Sequence, residues 1–144
     1  MSKNVFLIGD SIRMGYCAEL RELFSGRIDV VYPAENCRSS QNILYSLAGW
    51  SHLCDANETA LVLFNCGHWD AAHFNHDPEP LTSLGEYGKN LNSVVRQLKK
   101  KFPAAKLAFL TTTPMNPDYV DSSNPRTNED ICKYNETAKQ VMPC

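Results

Sequence analysis

The stretch "VFLIGDSIRMGY", residues 5–16, decides how this chain is read. Four consecutive apolar residues run into Gly9-Asp10-Ser11, and a helical pattern follows at once. An apolar run of this kind fits a strand covered on both faces, as in parallel sheets. A serine at the strand-to-helix turn projects its hydroxyl from a tight bend. Its own amide points into the same space as the positive end of the helix. An oxyanion formed by attack on an ester carbonyl is stabilised in such a place. Taken alone, Gly-Asp-Ser fits equally a serine that only caps the helix, or a turn that holds phosphate.

Working outward, three more strands are expected, at Ile28–Tyr32, Ala60–Asn65 and Lys106–Thr111, after a first at Val5–Gly9. Helical patterns lie between them. Cys17, Leu20, Leu23 and Phe24 share one face, and Ile43, Leu44, Leu47 and Ala48 share another just after Ser39-Ser40. The strongest helix opens at the capping box Ser83-x-x-Glu86, with apolar residues at 84, 87, 91, 94, 95, 98 and 102, and Pro103 ends it. A last helix is expected from near Thr127, carrying Ile131, Tyr134, Ala138, Val141 and Met142. The order β-α-β-α-β-α-β-α implies a parallel sheet with right-handed crossovers. Ligands bind such sheets outside the carboxyl ends of the strands. That edge should hold Gly9–Arg13, Pro33–Ser40, Asn65–Asp70 and Thr111–Pro117.

The bulk numbers narrow the possibilities. At 144 residues the chain is expected to be a single domain, 1–144, burying about two-thirds of its unfolded surface. Net charge is −2, and the one lysine run, Lys99-Lys100-Lys101, sits on a helix end, so no nucleic-acid partner is expected. No apolar run approaches the ~18 residues of a membrane span, and with the first strand starting almost at once no signal peptide is expected. Six cysteines, at 17, 37, 54, 66, 132 and 144, include no C-x-x-C pair. Reduced, mostly buried thiols in a cytoplasmic protein are expected.

Two further strand ends can contribute to an acyl-transfer site. Asn65 offers a side-chain amide, and Gly67 permits close backbone approach to an oxyanion. Asn36 and the amides around Arg38 lie on the other neighbouring edge. A serine with donors arriving from three strand ends has the layout of an acyl-transfer centre.

The blocks "FLIGDSIRMGY", "YPAENCRSS", "FNCGHWD" and "FLTTTP", in this order and spacing, resemble those of the SGNH/GDSL hydrolases, a family of serine esterases and acylhydrolases. The similarity spans essentially the whole chain. It implies a flavodoxin-like three-layer α/β/α sandwich, a small carboxylic ester as substrate and no cofactor. It also implies that Ser11 is the nucleophile and that its amide is one oxyanion donor. The second block has Asn36-Cys37-Arg38-Ser39 where the family has a glycine, so the Arg38 amide becomes the counterpart. The third has Gly67-His68-Trp69-Asp70, with tryptophan in place of the oxyanion asparagine and Asn65 as its replacement. Asp10, Asn36, His68 and Asp70 are the supporting residues.

A serine hydroxyl needs a base. The family takes it from an Asp-x-x-His motif after a fifth strand, and no such motif follows the fourth strand in these 144 residues. The resemblance stops before the last strand and helix. A C-terminally incomplete hydrolase, weak or inactive alone, is therefore expected; loss of the base costs on the order of 10⁶ in turnover in serine proteases. His52 falls at the far end of the sheet. His73 and His76 lie in a loop that can fold over the site, and His68 is the best substitute. The His68, His73 and His76 spacing suits no metal site. An uncovered "KLAFLTT" edge predicts a homo-oligomer. The rival readings are a non-catalytic flavodoxin-like domain that binds an anion with Arg13 and Arg38, and an assembly fragment with no ligand. The polar segment Met115–Arg126 is expected to form the pocket rim and to favour a small or sugar-borne ester.

Overall fold

The computed structural model describes residues 3–118 and 123–142. Strand β1 (Lys3–Ile8) leads into helix α1 (Ser11–Leu23), followed by β2 (Ile28–Val31), α2 (Ser40–Trp50), β3 (Thr59–Phe64), α3 (Leu84–Lys101), β4 (Lys106–Phe109) and α4 (Asn128–Val141). All pairings are parallel, in the order β2-β1-β3-β4. This is the doubly wound order of flavodoxin-like sheets. The four strands and four helices expected from the sequence are all present.

Alternation along the strands divides the core in two. Phe6, Ile8, Val62 and Phe64 point to one face, where they pack with Ile43 and Leu47 of α2, Tyr87, Leu91, Val94 and Leu98 of α3, and Tyr134 and Ala138 of α4. Leu7 and Leu63 point to the other face, toward Cys17 and Leu20 of α1 and Phe24 at its C-terminal cap. Among the described residues the result is a three-layer sandwich with three α-helices on one side and one on the other.

The caps follow the sequence. Ser39 accepts from the Asn42 amide at 3.3 Å, Ser83 from Glu86 at 3.3 Å and Thr127 from Asp130 at 3.1 Å. Each satisfies an amide that the first helical turn leaves open. The expected α1 stripe needs one correction: Leu23 is 66% exposed. At 100° per residue it falls about 120° round the helix from Cys17, off the packed face. Ala48 is exposed as well.

No helix among the described residues is long and apolar enough to cross a membrane. Five cysteines are free thiols: Cys17, Cys37 and Cys66 buried, Cys54 partly so and Cys132 exposed. Cys144 lies outside the described residues.

Candidate active site

The turn after β1 is built so that Ser11 is released. A Cβ on Gly9 would stand 2.6 Å from the Arg13 Cβ, so only glycine lets α1 start this close to the strand. Asp10 is fully buried and caps α1, with Oδ1 accepting the Ile12 amide at 2.9 Å. Ser11 is therefore the first helical residue, exposed to solvent, and its hydroxyl is not the cap. Among the described residues no hydrogen-bond partner holds that hydroxyl. Its amide is one of the open donors at the positive end of α1.

Arg13 is an internal staple and not an anion receptor. Only 2% exposed, it donates to the carbonyls of Gly9 at 3.4 Å, Pro33 at 3.0 Å and Glu35 at 2.6 Å. A buried guanidinium requires such compensation. These bonds tie α1 to the loop after β2 and engage one of the two arginines that the anion-binding rival uses. Arg38 is exposed, with its guanidinium 5.7 Å from the Trp69 ring.

The expected oxyanion donors are partly engaged inside the protein. The Cys37 amide donates to Gly9 O at 3.1 Å. Asn36 Oδ1 accepts the Arg38 amide at 2.8 Å, an Asx turn that holds Arg38 at φ 58°. Asn65 spends its side-chain amide on Leu110 O at 2.5 Å and Thr112 Oγ1 at 3.3 Å, bracing β3 against the segment after β4. Sequence reading missed this second use of Asn65, because a partner 45 residues away leaves no local signal. Gly67 behaves as a close-approach glycine. A Cβ there would lie 2.4 Å from Thr112 Oγ1, and its neighbour Cys66 presents a carbonyl to Tyr87 Oη at 2.7 Å.

Asp70 is wholly buried and holds the start of α2. Its carboxylate accepts from the Ser40 amide at 3.1 and 3.0 Å and from Ser40 Oγ at 2.6 Å. Asn90 of α3 donates to the same hydroxyl at 3.0 Å. Burial raises the Asp70 carboxyl above its ordinary value even though the Ser40 bonds oppose this. Asp70 thus locks the third block to the second.

His68 is half-buried on the turn after β3. Burial lowers its pKa below the usual 6.5, Arg126 acts in the same direction, and Asp10 and the Thr113 backbone oppose. Arg126 Nη1 also donates to His68 O at 2.8 Å. His73 is engaged through Nδ1 with Asp77 O at 2.9 Å, in the loop that stacks Phe74 on Trp69 at 5.5 Å. His52 and His76 are exposed. No metal-ligating cluster of three His, Cys, Asp or Glu residues occurs among the described residues. Of the expected rim, residues 119–122 lie outside the described residues.

No family model matches the sequence, and no curated protein matches it. Solved structures do. A Streptococcus pneumonia protein named for platelet activating factor superposes with a TM-score of 0.76 at 21% identity, covering 98% of this chain and 61% of its own. An acetyl xylan esterase gives 0.74 at 17% identity, covering 96% and 71%. A member of the lipolytic G-D-S-L family from Veillonella parvula gives 0.69 at 17%, covering 96% and 72%. The chain has the fold shared by GDSL esterases and lipases. It spans 61% of the length of the first of these relatives.

Proposed function

We propose that this chain is an SGNH/GDSL-type acyl esterase with Ser11 as nucleophile, working weakly on carboxylic esters. One observation carries the reading: Ser11 is an exposed hydroxyl on the first turn of α1, freed from capping by Asp10, at the carboxyl end of a central strand. In the proposed reaction Ser11 Oγ attacks the ester carbonyl and the Ser11 and Gly67 amides receive the developing oxyanion. The alcohol then leaves, and water clears the acyl group from the serine. The Arg38 amide and the Asn65 side chain contribute only when their internal bonds to Asn36 and Leu110 open. Asp70 and Asn36 position the loops. His68, held neutral near pH 7 by burial, is the group able to accept the proton. The weakness follows from the lack of any described base hydrogen-bonded to Ser11, because an unactivated serine hydroxyl is a poor nucleophile.

The alcohol half of the ester is proposed to be polar, even sugar-borne. Support comes from the polar segment around Met115–Arg126 and from the acetyl xylan esterase among the structural neighbours. Hydrolysis of a small aryl acetate tests the activity. Slow turnover that disappears in Ser11→Ala is expected, and equal rates for the two proteins would overturn the proposal.

The proposal extends to assembly. Among the described residues β4 is an edge strand, and its own Leu107 and Phe109 are only partly covered. An apolar edge of this kind invites pairing with a second copy. Sedimentation at micromolar concentration should show a dimer; monomer alone would refute it.

A further inference from the structure

We propose that the exposed Arg38 guanidinium, shelved against the Trp69 ring, receives a carboxylate carried on the alcohol half of the ester. This rests on the esterase reading of Ser11 and names the polar group that the alcohol bears.

Three braces set the pair beside the nucleophile. The Cys37 amide donates to Gly9 O at 3.1 Å, which fixes the residue before Arg38 against the turn that presents Ser11. Asn36 Oδ1 accepts the Arg38 amide at 2.8 Å and holds that residue at φ 58°. Asp70 accepts from the Ser40 amide and hydroxyl, so Trp69 and Arg38, each within two residues of that lock, are drawn together. The guanidinium carbon then stands 5.7 Å from the centre of the Trp69 ring, within the reach of a cation–π contact. Phe74 packs on the same ring at 5.5 Å and backs the shelf.

The charges of the region decide what the shelf takes. Arg13 is engaged with three carbonyls, and Arg126 donates to His68 O at 2.8 Å and to Asn124 O at 3.2 Å. Arg38 differs from both. Among the described residues its guanidinium donates to no acceptor and joins no ion pair. Glu35, the acid of the same loop, accepts Trp50 Nε1 at 2.6 Å instead. Asp10 and Asp70 are fully buried, on the Ile12 amide and on Ser40. The Trp69 ring supports the guanidinium without taking its N–H groups, which remain open to a planar acceptor with two oxygens. A carboxylate has that shape and supplies the opposite charge. A neutral hydroxyl supplies only one acceptor, and an ammonium is repelled.

The test begins with binding. An uncleavable mimic, 4-acetamidobenzoate, and its methyl ester are each titrated into the chain by NMR. The carboxylate should bind about fivefold more tightly, the scale of an exposed ion pair, and move the Trp69 indole signal. Added salt should erode that preference. Arg38→Gln should abolish it, and Arg38→Lys should keep only part, because an ammonium lacks the fork. Hydrolysis of 4-acetoxybenzoate and of its methyl ester repeats the comparison on the reaction. The ratio of the two rates, taken in the parent and in Arg38→Gln, cancels their different leaving groups and should fall about fivefold in the variant. Equal affinities, or a preference that survives Arg38→Gln, would overturn the subsite, while Ser11-dependent turnover of both esters would leave the esterase reading standing. A preference in binding with no Ser11-dependent turnover would overturn the esterase reading and the substrate role of Arg38 with it.

Discussion

Asp10 Oδ1 accepts the Ile12 amide hydrogen at 2.9 Å, so the residue before the candidate nucleophile does the work of the helix cap. Asp10 and Ser11 therefore carry separable tasks. Asp10→Ala should lower stability by about 1 kcal/mol or more, the usual cost of a lost cap. Ser11→Ala should stay within about 0.5 kcal/mol of the parent, as an exposed side chain without a partner does. Urea denaturation of the two variants checks this. The reverse ranking would make Ser11 the cap and remove the argument for a free hydroxyl.

The three carbonyls under Arg13 give a second prediction. Arg13→Ala leaves the carbonyls of Gly9, Pro33 and Glu35 without that donor in a buried site. Unsatisfied buried groups cost about 1–3 kcal/mol each, so a loss of about 3 kcal/mol or more is expected. Arg13→Lys should recover only part of it, since an ammonium cannot span the same fork. Full recovery by lysine in thermal or urea unfolding would contradict the staple.

His68 predicts a pH dependence with a definite sign. Its folded pKa lies below the ordinary 6.5 because of burial, reinforced by Arg126 and opposed by Asp10 and Thr113. The unfolded chain then binds more protons in the window just below pH 6.5, and stability rises with pH there. The contribution is complete above the unfolded value and is lost as pH falls through the folded one. His68→Gln should flatten that slope. Urea midpoints between pH 5 and 7 that are steeper in the variant, or fall with rising pH in the parent, would reverse the assignment. The same window should govern activity: rates that need neutral His68 fall as the solution is acidified.

Much of the fold was legible because it is written in local periodicity. The α3 stripe from Tyr87 to Leu98 is buried as its spacing predicts, and the Ser83, Ser39 and Thr127 caps sit where short polar side chains precede apolar runs. Ser11 was visible for the same reason: a strand, a glycine and a helix start are neighbours in sequence. What could not be read were bonds formed over distance. Asn65 spends its amide on Leu110, Arg13 reaches Pro33 and Glu35, and Asp70 reaches Ser40, across 45, 20, 22 and 30 residues. These pairings turn residues that look like donors or anion receptors into braces.

The most direct measurement is mass-spectrometric mapping of the chain after exposure to a small fluorophosphonate. A slow adduct on Ser11, absent from Ser11→Ala and reduced in His68→Gln, is the predicted result. An adduct distributed over other serines, or no difference between the parent and Ser11→Ala, would contradict the nucleophile assignment.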